Sequence, residues 1–64
     1  MSTPDEIDAK ADELQVAAEE AAAAAKAVRN SSGQSRRDAF KAFVDKAEEM
    51  HHLKSEYEDL IAAS

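Results

Sequence analysis

Two overlapping pairs of a glutamate and a histidine come closest to a chemical motif in this sequence. The pairs are Glu48 with His51 and Glu49 with His52, each three positions apart. In helix bundles that bind two metal ions, this spacing directs both ligands into the bundle core. Here the apolar stripe of the same helix passes through Met50, so we expect Glu48, Glu49 and His52 to point outward. The sequence therefore predicts no metal site.

Nothing else in the chain resembles a catalytic constellation. The sequence has no cysteine or tryptophan and a single glycine, which excludes thiol chemistry, zinc fingers and glycine-rich phosphate loops. Apart from Ser55, which lies within the second predicted helix, its serines fall at predicted helix caps, in a predicted turn or near the ends of the chain. A pair of helices also lacks the concave pocket that a small-molecule site requires. We therefore predict that the protein is not an enzyme and uses neither a cofactor nor a small-molecule substrate.

Residues 4–32 repeat every seven positions and define the first structural element. Alanine recurs at the first place of the heptad, an apolar residue at the fourth, and acidic pairs lie between them. The first-place alanines are Ala11, Ala18 and Ala25, and the fourth-place residues are Ile7, Leu14, Ala21 and Val28. These two places form the buried seam of a coiled coil. The spacing therefore predicts an amphipathic helix that a second helix can approach closely.

Capping residues set the predicted ends of the helices. Thr3 and Glu6 form a capping box around Pro4, which suits the first helical position. Gly33 can adopt the left-handed conformation that ends a helix, and Ser35 is the predicted N-cap of the next one. The predicted elements are helix 1 over about residues 4–30, a turn over 31–35 and helix 2 over about 36–62.

Apolar residues recur every three or four positions along the second predicted helix and form one wide stripe. Because a short turn joins neighbouring helices antiparallel, we predict an all-α fold, a single helical-hairpin domain over residues 1–64. Facing residues should have numbers that sum to about 67. The stripe is wider than one alanine-rich helix can cover, so we expect a homodimer that forms a four-helix bundle, or a complex with another helical protein. The predicted interface residues are Ile7, Leu14, Val28, Phe40, Phe43, Met50, Leu53, Tyr57, Leu60 and Ile61.

The composition favours association with a partner and narrows the range of protein classes that the sequence predicts. Of 28 hydrophobic residues among 64, 15 are alanine, and a chain this short is marginally stable without a disulfide, a metal or a partner. No apolar run approaches the length of a membrane span, and the first residues lack the basic and apolar regions of a secretion signal. We expect a cytoplasmic protein that does not bind membranes. Its size and alanine content are consistent with a phage or bacterial source.

The formal net charge of −6 is unevenly distributed along the chain. The segment from Lys26 to Lys41 contains five bases and one acid, a net charge of +4, which leaves −10 on the remainder. This segment forms the tip of the predicted hairpin. The candidate docking residues there, for an anion or an acidic partner, are Arg29, Arg36, Arg37 and Lys41. The overall acidity argues against nucleic acid as that partner, because phosphate binding requires a basic face.

These features predict a small, non-enzymatic protein that works in protein–protein interaction or assembly through a self-associating hairpin. One alternative is an acidic inhibitor of the small viral type, in which the acidic stripe of helix 1 occupies the nucleic-acid-binding site of a host protein. The layout also resembles, in architecture alone, the Rop family of plasmid copy-number regulators, helical hairpins that dimerise into four-helix bundles. That resemblance implies a second alternative, a nucleic-acid-binding hairpin that uses the basic tip.

Overall fold

The structure is a computed structural model that describes residues 3–64. Two α-helices pack against each other as an antiparallel hairpin, with α1 spanning Pro4–Arg29 and α2 spanning Gly33–Ala63. No strand occurs within the described residues, so the prediction of an all-α helical hairpin is confirmed. Neither of these helices contains a segment long and apolar enough to cross a membrane.

The N-terminus of α1 is capped as the sequence predicts. The hydroxyl of Thr3 accepts a hydrogen bond from the backbone N–H of Glu6 at 3.2 Å. The backbone N–H of Ile7 donates to the Thr3 carbonyl at 3.1 Å. Pro4 occupies the first helical position, where its missing N–H costs no hydrogen bond. These contacts satisfy backbone groups that the helix itself leaves without partners.

The connection between the helices is shorter than predicted. Asn30 is the C-cap of α1, and Ser32 is the N-cap of α2. The second helix therefore begins at Gly33, three residues before the predicted start at Arg36, and Ser35 lies inside it instead of capping it. The reason is that Gly33, with a φ of +60°, completes the chain reversal in one residue. A helical hydrogen bond then joins the Arg36 N–H to the Ser32 carbonyl at 3.4 Å.

Polar side chains stabilise this short turn. Arg36 Nε donates a hydrogen bond to the carbonyl of Ser31 at 2.8 Å, and Gln34 donates to the carboxylate of Asp38 at 3.0 Å. Arg36 lies near the positive end of its own helix dipole, which disfavours a cation there. The hydrogen bond to Ser31 places the Arg36 guanidinium at the C-terminal end of α1. The negative end of the α1 dipole stabilises the positive charge there.

Alanines form the closest approach of the two helices. Ala17 and Ala21 are the buried residues of the described chain, with 3% and 4% of their surfaces exposed. Small side chains let the helix axes come together, but two helices cannot enclose a large side chain from every direction. The larger apolar residues of the seam are accordingly half-buried. They are Ile7, Leu14, Val28, Phe43, Met50, Leu53, Tyr57 and Leu60.

Two ion pairs between the helices report the register of the hairpin. Lys10 Nζ lies 2.6 Å from a carboxylate oxygen of Glu56, and Lys46 Nζ lies 2.7 Å from one of Glu20. The residue numbers of each pair sum to 66, which agrees with the predicted register of about 67. The register therefore holds from the middle of the hairpin towards its open end.

Candidate functional site

The glutamate and histidine pairs of α2 do not form a metal site. Glu48, Glu49, His51 and His52 are all exposed. No group of three or more potential ligands within residues 3–64 is arranged to hold a metal ion. His52 contacts its own helix instead, with Nε2 2.9 Å from a carboxylate oxygen of Glu56.

The seam between the helices has two sides, and one of them carries both ion pairs that join α1 to α2 in the described chain. The residues on this side have the same three-four-three spacing on both helices, which places them along one face of each. We call this side the ion-paired face. It consists of Lys10, Glu13, Ala17 and Glu20 on α1 and of Lys46, Glu49, Leu53 and Glu56 on α2.

A groove of about 410 Å³ opens on the ion-paired face, between the two ion pairs. Its lining residues are Asp12, Glu13, Val16, Ala17, Glu20, Glu49 and Leu53. Three of these are apolar and four are carboxylates, so the groove has an apolar floor and an acidic rim. Val16 is 52% exposed, which leaves a branched apolar side chain open to solvent beside the acids. We call this feature the acid-rimmed groove.

Hydrogen bonds between charged groups shift the pKa values of the residues that bridge the helices. The hydrogen bond donated by Lys10 lowers the pKa of Glu56 below its ordinary value. The same bond and a second one to Glu13 raise the pKa of Lys10. The hydrogen bond to Glu20 likewise raises the pKa of Lys46. Each shift favours the charged form of the residue concerned, Lys10, Lys46 or Glu56.

The opposite side of the seam has no ion pair between the helices among the described residues. Of the four exposed large apolar residues in the range 3–64, it carries three: Phe40 at 54%, Val44 at 36% and Ile61 at 47%. The ring of Phe40 lies against that of Phe43, with centroids 6.3 Å apart. We call this side the apolar face. Its apolar residues are Phe40, Val44, Ala47 and Ile61 on α2 and Ala11, Ala18, Ala22 and Ala25 on α1. Between Ala47 and Ile61 the same helical spacing passes through His51, Lys54 and Glu58, and Lys54 lies 3.1 Å from Glu58.

The predicted docking residues all lie at or beside the turn and are exposed. They are Arg29, Arg36, Arg37 and Lys41. None of the four forms an ion pair within residues 3–64, although Arg36 is engaged by the carbonyl of Ser31. Asp38, the acid of this segment, accepts its hydrogen bond from Gln34. The tip therefore presents positive charge that the described chain does not pair.

Comparison with known proteins gives no family model, no curated protein and no solved structure that matches this chain. The function is therefore inferred from the two faces of the hairpin and from its charge distribution.

Proposed function

We propose that this protein is a non-enzymatic interaction protein that works as a homodimer, in which two hairpins pack apolar face to apolar face and form a four-helix bundle. The burial pattern carries the proposal. Ala17 and Ala21 are the buried residues in the described range, and both are small. A second copy would cover the half-buried seam from its open side. Each Å² of apolar surface removed from water would contribute roughly 25 cal/mol.

The dimensions of the single hairpin support the same proposal. Its accessible surface is 4740 Å², whereas a compact monomer of its mass exposes about 4000 Å². Its radius of gyration is 14.6 Å, whereas a compact domain of this length has about 11 Å. The excess surface of roughly 700 Å² is close to what each partner contributes to a stable protein interface.

The charge distribution favours opposite directions for the two hairpins. Parallel packing would bring two basic tips together and two acidic ends together. Antiparallel packing places each basic tip beside the acidic end of the other copy, which is electrostatically complementary. On the apolar face, this arrangement brings Phe40 of one copy towards Ile61 of the other. These exposed residues at opposite ends of α2 would then cover each other.

A pair of matched charge substitutions tests this proposal. Phe40→Glu places a charge on the apolar face at a residue that is 54% exposed, and we expect it to give a monomer in sedimentation equilibrium. Val16→Glu is the control, because Val16 is equally exposed but lies on the other side of the seam. We expect that variant to keep the mass of the unmodified protein. Equal masses for all three proteins would contradict the proposal.

The two alternatives inferred from sequence make separate predictions. A nucleic-acid-binding tip requires that RNA or DNA be retarded in a low-salt gel and that Arg37→Ala with Lys41→Ala abolish the retardation. An acidic inhibitor requires that binding to a nucleic-acid-binding protein weaken when Glu19 and Glu20 are replaced by lysine. The self-association proposal requires neither result, since it depends on the apolar face.

A further inference from the structure

We propose that the acid-rimmed groove on the ion-paired face binds a basic amphipathic helix of another protein. In this complex, one large apolar side chain of the partner lies on the apolar floor, and basic side chains contact the carboxylates of the rim. The site lies on the other side of the seam from the proposed dimer interface. It therefore goes beyond self-association and remains accessible in the dimer.

The floor of the groove is suited to an apolar anchor. Val16, Ala17 and Leu53 come from both helices and line the groove, although Ala17 itself is 3% exposed. Amphipathic helices bind such grooves through large side chains spaced three or four positions apart. The groove is open to solvent, and its volume of about 410 Å³ exceeds that of one large apolar side chain. The 52% exposure of Val16 shows that this surface is uncovered in the single hairpin.

The rim determines the charge of the partner. Glu13 is paired with Lys10, and Glu20 is paired with Lys46. Asp12 and Glu49 form no ion pair within residues 3–64, so the groove retains negative charge that the hairpin does not neutralise. Ionised carboxylates also accept more than one hydrogen bond. A neutral or acidic helix would leave these groups uncompensated, whereas lysine or arginine would pair with them.

The spacing along α1 defines the pattern that the partner requires. Glu13 and Glu20 are paired within the hairpin, but each carboxylate can accept a further hydrogen bond. They are seven residues apart, which is about 10.5 Å along the helix axis, and Val16 and Ala17 lie between them. A partner helix lying along α1 would match this spacing of acids if it carried basic residues at positions i and i+7. An apolar residue at i+3 or i+4 would then face Val16 and Ala17. Within either helix of this chain, no two bases are seven positions apart. The pattern therefore indicates a different protein and not a second copy.

A labelled synthetic peptide provides the test. The probe is an alanine-rich helical peptide with two arginines seven positions apart and a leucine four positions after the first. Two control peptides keep both arginines, one with the leucine moved to the opposite helix face and one with alanine in its place. Fluorescence anisotropy is measured with the full-length protein at low salt. We expect the probe to bind and both controls to bind at least about tenfold more weakly.

Matched protein variants locate the binding site. Asp12→Asn with Glu49→Gln removes two unpaired rim charges, and we expect about tenfold weaker binding of the probe. Glu19→Gln with Glu48→Gln makes the same charge change at exposed positions outside the groove, and we expect it to retain binding. Val16→Ser should weaken binding while leaving helicity unchanged in circular dichroism, because the side chain is exposed.

Several outcomes would overturn the proposal. Equal binding of the probe and the alanine control would mean that the acids alone are recognised, as in a surface that imitates phosphates. Equal effects of the two double variants would mean that the affinity of the probe depends on the net charge of the protein and not on the groove. Absence of binding at low salt would exclude the site. Loss of self-association in Asp12→Asn/Glu49→Gln would assign the groove to a second copy. These results are distinct from failure of the dimer proposal, which is read from the mass of the protein without peptide.

Discussion

The ammonium group of Lys10 lies 2.6 Å from a carboxylate oxygen of Glu56, a residue 46 positions further along the chain. It also lies 3.0 Å from a carboxylate oxygen of Glu13 on its own helix. This contact and the pair formed by Lys46 with Glu20 lie on the same side of the seam. The ion pairs between the helices in the described chain therefore lie on one side of the seam, and the exposed Phe40, Val44 and Ile61 lie on the other.

Reversing the charges of this pair should test its role in the register. We expect Glu56→Lys to lower the melting temperature, because it places two cations beside each other. Adding Lys10→Glu should restore part of the loss by recreating the pair in the opposite sense. Asp59→Lys is a matched control, since Asp59 is exposed and forms no ion pair within residues 3–64. If the double variant melted no higher than either single variant, the pair would have no part in fixing the register.

The lowered pKa of Glu56 predicts a specific dependence of stability on pH. The folded state favours the ionised form of Glu56 more than the unfolded state does. The pair therefore stabilises the protein at pH values above the ordinary glutamate pKa. That contribution is lost as the pH falls through the lowered pKa. The protein should therefore melt higher than Glu56→Gln near neutral pH, and the difference should shrink as the pH is lowered below the ordinary glutamate pKa. A difference that stayed constant over this range would be inconsistent with the shift.

Close helix approach at Ala21 predicts that this position does not accept a large side chain. Ala21→Leu should destabilise the hairpin by about 1–3 kcal/mol, because the added atoms force the helices apart. Ala23→Leu is the control, since Ala23 is exposed on the same helix and leucine is nearly as good a helix former as alanine. The measurement is urea unfolding at one fixed protein concentration. Equal stabilities of the two variants would show that the helices do not meet at Ala21.

The positive φ of Gly33 predicts a cost for any side chain at that position. A β-carbon added there would meet no atom within 4 Å, so the cost of Gly33→Ala arises from the backbone alone and should be about 1 kcal/mol. Gly33→Asn should cost less, because asparagine tolerates the left-handed region. Urea unfolding measures both. A more stable Gly33→Ala variant would mean that the turn does not need this conformation.

Much of the hairpin follows from the sequence because its signals are periodic. The heptad of residues 4–32 predicts the seam through Leu14 and Ala21, and Thr3 with Pro4 predicts the start of α1. Gly33 with its polar neighbours predicts a reversal, and folding the chain about Gly33 predicts the register. Each of these depends on local propensity or on the helical repeat, which a single sequence records directly.

The remaining features depend on how the two helices are rotated against each other. Apolar residues at the first and fourth places of a heptad do not show which flank of the seam is more deeply buried. The burial of Ala17, at the seventh place of its heptad, was therefore not predicted. The groove beside Val16 was missed for the same reason, since the sequence alone shows this residue as an isolated exposed valine. The start of α2 was predicted too late because the sequence favours a cap at Ser35, whereas Ser32 occupies the cap position without a hydrogen bond from its side chain. The backbone of Gly33 decides between them.

Self-association is tested most directly by the molar mass of the unmodified protein in sedimentation equilibrium over a range of concentrations. We expect twice the chain mass of 6.9 kDa, with helicity and melting temperature that rise with protein concentration, as mass action requires. A mass of 6.9 kDa at every concentration, with a melting temperature that does not change, would contradict the proposed four-helix bundle.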